Sequence, residues 1–460
     1  MEYPFINQLQ EQLLIDSFSI FCGAGATSDL TKRKWEDIFH EKTKKFYDAK
    51  LTSDIYLLSD FEKNYYNADN FYDDIKNKLS VKNGISKHIE CIIRLNLNNI
   101  WTTNFDEIIE NAIYREYGVE PTVLATSKDL LSKNLNADHV VYKLNGTVND
   151  ANSMVLTKTD FFDYFKKQRL FFELLKRQLV LDSFLFIGYS FQDDLVLNAL
   201  REIREVFPNN GKTHYRFVIQ ENDQLDSEKR ALKKEFTKYE RQYFMDKYNI
   251  QSILLDNFTD IDKYLNELYR RFCNHNILFC GSFRNISNEL RIHIENIIDV
   301  VIRELYSNRF NVYSGNGRGL GEIIVARAKL HSMMPNNRFV NRPLIFTGDS
   351  NKQKQLKNKQ IEKDCNTMLI FCGQDESLSN SKNVINQFKN FIAKNESKKL
   401  VIPIPSTGYS AREIFNSESY RNTYSYKIMH SELDLLNSLT EPSEIAKLLV
   451  NLILRYRKEP

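Results

Sequence analysis

The sequence predicts an α/β protein: a doubly wound, mainly parallel sheet flanked by helices, then a second sheet of the same kind. Three observations carry this expectation. Short apolar runs recur, each ending in small or polar residues before a helical pattern. Residues 17–22 end at Gly23-Ala24-Gly25, the run before Trp101 at Thr103-Asn104, residues 138–144 at Asn145-Gly146, and residues 183–187 at Gly188-Tyr189-Ser190. Strands alternating with helices build parallel sheets, and ligands bind beyond the carboxyl ends of those strands. The pattern restarts at residues 276–282. Finally, 460 residues exceed what one ordinary core holds, so at least two domains are expected.

Composition narrows the function classes. The 63 basic and 60 acidic residues leave a net charge of +3, which gives no electrostatic case for nucleic acid or an anionic membrane. The six cysteines, at 22, 91, 273, 280, 365 and 372, form no CxxC pair, so no zinc ribbon and no resident metal are expected. Their apolar surroundings fit a reducing compartment. With no basic, apolar leader and no run of 18 apolar residues, the expected location is cytoplasmic.

Taken in order, residues 5–16 read as a helix with Ile6, Leu9, Leu13 and Leu14 on one face. The first strand follows, and Gly23-Ala24-Gly25-Ala26-Thr27 comes straight after it. A Gly-x-Gly here either lets the backbone approach a phosphate or simply makes a tight turn, and the third glycine of the dinucleotide fingerprint is missing. Residues 31–95 carry aromatic and aliphatic residues at helical spacing, among them Trp35, Ile38, Phe39 and Leu58, read as core. Trp101-Thr-Thr-Asn-Phe-Asp-Glu107 then places Asn104 and Asp106 between a strand and a helix. There an amide can hold a sugar hydroxyl or a water, or either residue can cap the helix. Residues 215–219 and 250–255 read as strands, the second at an edge. Residues 222–248 read as a charged helix whose stripe of Leu232, Phe236, Tyr239, Tyr243 and Phe244 is expected in the core. His139 is expected at the surface.

The second half opens with Cys280-Gly281-Ser282 at the end of an apolar strand. A helix over 286–306 follows, then Ser314-Gly-Asn-Gly-Arg-Gly-Leu-Gly321. Glycines at 315, 317, 319 and 321 with Arg318 suit a phosphate. Buried strands at 366–372 and 400–405 complete this sheet, and the helix over 445–456 is amphipathic.

Gly23-Ala24-Gly25, Thr103-Asn104-Phe-Asp106, Lys143-Leu-Asn145-Gly146 and Gly188-Tyr-Ser190-Phe-x-Asp193 together resemble the ordered motifs of the SIR2 family, across residues 10–260. The resemblance implies that Gly23, Ala24, Gly25 and Thr27 cradle the NAD+ diphosphate. It implies that Asn104 organises the nicotinamide ribose and a water, with Asp106 either supporting its loop or facing the ribose, that Thr103 also contacts the NAD+, and that Gly188, Ser190 and Asp193 line the adenosine side. Two features depart from the family. The four-cysteine zinc module of the protein deacylases is missing, which favours NAD+ hydrolysis over deacylation. Asn145 stands where the family carries a histidine, and an amide cannot act as a general base near neutral pH. Asn145 is either natural or a substitution that stops turnover; the intact Lys143, Leu144 and Gly146 favour a substitution.

Cys280-Gly281-Ser282, Ser314-Gly-x-Gly317 and Pro405-x-Thr-Gly408 resemble the SLOG family of nucleotide-ligand sensors, over residues 276–415. Carried over residue by residue, the activator contacts are Gly281, Ser282, Gly317, Arg318, Arg342, Lys359 and Lys382, although Lys359 and Lys382 also read as a solvated lysine face. A SIR2 domain followed by a SLOG domain is the architecture of the Thoeris anti-phage effectors. This implies two Rossmann-like domains, 1–272 and 276–460. It further implies an NAD+ hydrolase gated by a cyclic ADP-ribose isomer made by a TIR-domain partner, working as a homo-oligomer, tetramer or filament. A non-catalytic sensor of NAD+ and a cyclic nucleotide is the alternative that Asn145 keeps open.

Overall fold

Seven apolar segments form the strands of the first sheet: β1 (Phe18–Cys22), β2 (Asn99–Thr102), β3 (Thr122–Leu124), β4 (Val140–Lys143), β5 (Ser183–Ile187), β6 (His214–Ile219) and β7 (Ile250–Leu255). Their order in the sheet is β3-β4-β2-β1-β5-β6-β7, and every pairing is parallel. These positions come from a computed structural model that describes residues 3–460 except 32–38, 40, 53, 67–69, 80–83, 85, 134–136, 138, 192–193, 209–210, 221–225, 315–316, 332–338, 342–360, 394–398, 424–427 and 459–460. The chain divides into two compact units, residues 17–269 with 1–12, and residues 270–460 with 13–16.

Burial explains the sequence of the central strands. All five residues of β1 and of β5 are buried, because helices cover both faces of a parallel sheet and leave no solvent side to alternate with. Trp101 of β2 lies in register with Tyr142 of β4, and their rings stack with centroids 4.2 Å apart. Phe171, from the Arg169–Leu181 helix, packs against both.

The second unit repeats the plan with five strands: β8 (Asn276–Ser282), β9 (Asn311–Ser314), β10 (Phe339–Asn341), β11 (Thr367–Cys372) and β12 (Leu400–Pro403). The order is β10-β9-β8-β11-β12, again all parallel. The Asn288–Ser307 helix buries Ile294, Ile297, Ile298, Val301, Ile302 and Leu305 at helical spacing. The closing Pro442–Lys458 helix packs on it through a buried stripe that includes Ile445, Leu449 and Ile453.

Each sheet has one switch point, where the strand order reverses. It lies between β1 and β5 in the first sheet and between β8 and β11 in the second. At the first, the loops after β1 and β5 touch backbone to backbone. Gly23 N–H donates to Ile187 C=O at 2.9 Å, and Gly25 N–H donates to Gly188 C=O at 2.9 Å. A Cβ on Gly23 would lie 2.6 Å from the Tyr189 Cα, and one on Gly188, whose φ is +63°, would meet the backbone of Gly25 and Ala26. The two loops need glycine to approach each other, a demand separate from any ligand.

Three expectations change. Leu232, Phe236, Tyr239 and Tyr243 are exposed rather than core; of the expected stripe only Phe244 is buried, together with Tyr248 on a different face of the Ser227–Tyr248 helix. His139 is buried, not at the surface: its ring stacks on Tyr117 with centroids 4.4 Å apart, and Nδ1 lies 3.3 Å from the Leu97 carbonyl. The edge strands β3 and β10 were not anticipated, because three residues are too few to show a period. Phe39 and Leu58 are buried as expected, whereas Trp35 and Ile38 lie outside the described residues.

Two outcomes follow. Gly188→Ala should lower stability by about 2 kcal/mol or more, from left-handed strain plus the clash with the first loop, read by urea denaturation. His214 is fully buried at the start of β6, and its Nδ1 accepts the Phe184 N–H at 3.1 Å. Burial, with Lys212 nearby, pushes its pKa down to about 3. The unfolded chain takes up that proton near pH 6.5 and the folded one does not. Stability from this group is therefore complete above pH 6.5 and is lost as pH falls from there towards 3. The loss between pH 6.5 and pH 5 should be roughly 2 kcal/mol. His214→Asn should flatten that slope in melts run at both pH values.

Candidate functional site

The site is assembled by the ends of β1, β2, β4 and β5. After β1 the chain enters a 3-10 turn over Ala24–Thr27, in which Thr27 Oγ1 donates to the Ala24 carbonyl at 3.2 Å. After β2, Thr103 N–H donates to the Cys22 carbonyl at 3.2 Å, and Thr102 Oγ1 donates to the same carbonyl at 2.8 Å while accepting Asn104 N–H at 2.9 Å. These bonds fix the backbone of Asn104. Its buried side chain reaches back over the glycine loop, where Nδ2 donates to Thr27 Oγ1 at 3.4 Å. Asn104 and Thr27 are thus brought together across the β1 and β2 loops.

Asp106 precedes Glu107, the N-cap residue of the next helix, and makes a turn at the helix start. Its Oδ1 accepts the N–H of Ile108, the first residue of the Ile108–Tyr117 helix, at 3.0 Å. Burial raises its pKa, although the Ile108 amide and Lys143 work the other way. Behind this loop lies a pair that sequence patterns did not reveal. Lys143, at the end of β4, has no exposed side-chain surface; its Nζ donates to Glu110 Oε1 at 2.8 Å and to the Asp106 carbonyl. Burial raises the Glu110 pKa against the pull of Lys143. Burial and the nearby Asp106 carboxylate also push the Cys22 thiol far above its usual range, so it is no nucleophile.

Thr102 pairs with Lys143 in the β2–β4 register, so Asn104 and Asn145 lie two residues beyond paired positions on the same sheet edge. Asn145 is 3% exposed; its backbone carbonyl accepts Val155 N–H at 2.9 Å, and its side-chain Oδ1 accepts no hydrogen bond. A buried acceptor without a donor costs on the order of 1–3 kcal/mol and is relieved by a ligand hydroxyl. On the β5 side, Tyr189 packs on Phe21 with centroids 4.7 Å apart, while Ser190 and Ala24 stand exposed. Asp193 lies outside the described residues.

In the second unit the loops after β8 and β9 meet as those after β1 and β5 do. A Cβ on Gly317 would collide with the Gly281 carbonyl, and Phe283 N–H donates to the Arg318 carbonyl at 2.9 Å. Gly281, Ser282, Gly317 and Arg318 are therefore brought together, with the Arg318 side chain exposed. Across the switch point, Ser282 Oγ donates to the Gln374 carbonyl at 3.1 Å. Gln374 is a further residue that motifs missed. Its buried Oε1 accepts Arg284 N–H at 3.0 Å and Asn285 N–H at 2.9 Å, and its Nε2 donates to the Asn285 carbonyl and to Tyr409 Oη. Lys382 is exposed at the start of the Lys382–Ala393 helix, beside Asp375, whose pKa is lowered by Ser377 and Ser379 and, more weakly, by Lys382. Arg342 and Lys359 lie outside the described residues. Among the described residues no group of His, Cys, Asp and Glu is placed to hold a metal, no helix is long and apolar enough to cross a membrane, and all six cysteines are buried and in no disulfide.

Comparison with known proteins follows this division. Residues 98–253 match the SIR2-like domain, and residues 260–459 match the Sir2- and TIR-associating SLOG family. The first match starts after the glycine loop, yet β1 lies between β2 and β5 inside the same sheet. The NAD(+) hydrolase ThsA of Bacillus cereus (strain MSX-D12) is 24% identical over 439 residues, 91% of this chain and 90% of the relative. The NAD(+) hydrolase ThsA of Enterococcus faecium is 24% identical over 477 residues, 96% of each chain. That of Cytobacillus dafuensis is 25% identical over 351 residues, 74% of this chain and 71% of the relative. The chain therefore joins a SIR2-like domain to a Sir2- and TIR-associating SLOG domain, and it is similar over most of its length to the ThsA NAD(+) hydrolases.

Proposed function

We propose that the chain is an NAD+ glycohydrolase of an anti-phage system, with NAD+ as substrate. Water attacks C1′ of the nicotinamide ribose, the bond from C1′ to the nicotinamide nitrogen breaks, and nicotinamide, ADP-ribose and a proton are released. The observation that carries this reading is the placement of Asn104, buried at the end of β2 and facing Thr27 of the glycine loop at a sheet switch point. Its carboxamide donates and accepts together, which suits a ribose hydroxyl and a water. The relatives' names, NAD(+) hydrolase, support the reaction class. Gly23, Gly25, Thr27, Thr103, Gly188 and Ser190 surround the diphosphate and adenosine, and Asp106 holds the loop.

Asn145 sets the rate. Its unpartnered Oδ1 suits a ribose hydroxyl but takes no proton, so the water proton passes to solvent. The second reading, a sensor that binds NAD+ without turnover, draws on the same residue. In the second domain Gly281, Ser282, Gly317 and Arg318 receive a cyclic ADP-ribose isomer from a TIR-domain partner. That ligand favours the active arrangement only by binding it more tightly than the inactive one.

Three variants test this by nicotinamide release from NAD+, with and without cyclic ADP-ribose isomers and with no acylated peptide present. Asn145→His should raise release by about 10²-fold or more, in the presence of activator. Asn104→Ala should abolish release in either background. Arg318→Ala should raise the activator concentration for half-maximal release by tenfold or more, leaving NAD+ affinity unchanged. If neither the chain nor Asn145→His releases nicotinamide while both bind NAD+, the hydrolase reading fails and the sensor reading stands.

A further inference from the structure

The Ser227–Tyr248 helix is turned the opposite way from what its apolar pattern suggests. Leu232, Phe236, Tyr239 and Tyr243 are 59%, 65%, 64% and 51% exposed, while Phe244 and Tyr248 face the core. At 100° per residue the four exposed side chains fall within about 60° of one another, a continuous stripe. Their spacing is four, three, four. That is the d-a-d-a seam of a two-helix coil, not the broader face a helix turns to its own core. Phe and Tyr lose little rotamer freedom on burial and carry much of the energy of interfaces.

The charges on and beside the stripe select its occupant. Continuing the heptad gives Lys229 at a and Asp246 at d, both exposed at the two ends of the stripe. Two copies of this helix laid antiparallel about a two-fold axis between residues 237 and 238 place Phe236 against Tyr239, Leu232 against Tyr243, and Lys229 against Asp246, each twice. The flanking e positions, Lys233 and Glu240, then meet as opposite charges. Laid parallel, the same helices put Lys229 on Lys229, Asp246 on Asp246, and Glu235 beside Glu240. Every one of these antiparallel charge contacts is attractive, whereas three of the parallel ones repel. Lys229 and Asp246 contact Asp226 and Gln242 within their own helix, and these are exposed contacts of little worth in water, open to exchange. Glu240 is anchored on its inner side by Arg216 at 2.9 Å, which fixes the carboxylate at the edge of the stripe.

We propose that this helix is a self-association surface: a second copy of the chain docks on it antiparallel, through a four-residue seam closed at both ends by Lys229–Asp246 pairs. The contact is isologous, as two-fold symmetry requires. It stands independently of the catalytic reading, since none of its residues lies at the candidate site.

The test uses the full chain. Its mass is measured by light scattering across a concentration series, for the unchanged chain and for Phe236→Glu. The unchanged chain should form dimers or multiples of dimers, and Phe236→Glu should halve that mass with its far-ultraviolet circular dichroism unaltered. Orientation is read by cysteine cross-linking under a mild copper–phenanthroline oxidant, against a background in which all six native cysteines are buried. Leu232→Cys combined with Tyr243→Cys should give a covalent dimer on denaturing gels, and Leu232→Cys alone should not. A monomeric chain, a mass unmoved by Phe236→Glu, or cross-linking by Leu232→Cys alone would each overturn the proposal.

Discussion

The candidate site depends on a cation buried beneath it. Lys143 has no exposed side-chain surface, and its ammonium bridges Glu110 on one helix to the Asp106 carbonyl in the loop after β2. A buried charge is tolerated only where it is paired and hydrogen-bonded, and removing one partner of such a pair costs about 3–5 kcal/mol. The loop between Thr102 and Ile108 is therefore tied to β4 from below, as Thr102 and Thr103 tie it to β1 from the side. Asn104 sits in the middle of that loop with both of its neighbours fixed. Placing an amide within hydrogen-bond reach of a ribose requires this kind of support.

A second constraint is steric and recurs in both sheets. The backbones at Gly25 and Gly188 touch across one switch point, and those at Gly281 and Gly317 touch beside the other. In each case small residues let two loops close against one another through backbone contacts alone. Glycine at these positions is consequently no proof of a phosphate. The case for a ligand rests instead on what stands beside the glycines: Asn104 and Asn145 in the first sheet, Arg318 in the second.

The strand ends were legible in the sequence because apolar runs stopping at small residues reflect both burial and loop geometry. The order of the motifs then pointed to both domain families. Glu110 was not legible, since a carboxylate on a helix looks solvated until a strand brings a lysine to it. Gln374 escaped for the same reason: its polar partners Ser282, Arg284, Asn285 and Tyr409 come from two segments far from it in sequence. Helical periodicity located the stripe of Leu232, Phe236, Tyr239 and Tyr243 but could not say what covers it. A period reports that a face is apolar, not whether the chain's own core or another molecule lies against it. His139 was misjudged because a histidine's burial depends on a stacking partner, Tyr117, that lies on another element.

On the proposed hydrolase reading, Asn145 governs how much catalysis such a site retains. Cleavage of the nicotinamide bond releases a neutral leaving group and leaves positive charge on the ribose, so bond breaking itself needs orientation and a polar cradle rather than a proton donor. A base is needed afterwards, to take the proton from the attacking water. On the same reading Asp106 does not replace it: burial raises its pKa, but the Oδ1 that accepts the Ile108 amide is engaged at the start of a helix. On the proposed reading, the amide at 145 removes the proton-accepting step, typically worth about 10²–10⁴ in rate, and leaves the proposed ribose contacts in place. On the proposed hydrolase reading, a site with this residue set keeps its contacts to NAD+ and turns it over slowly.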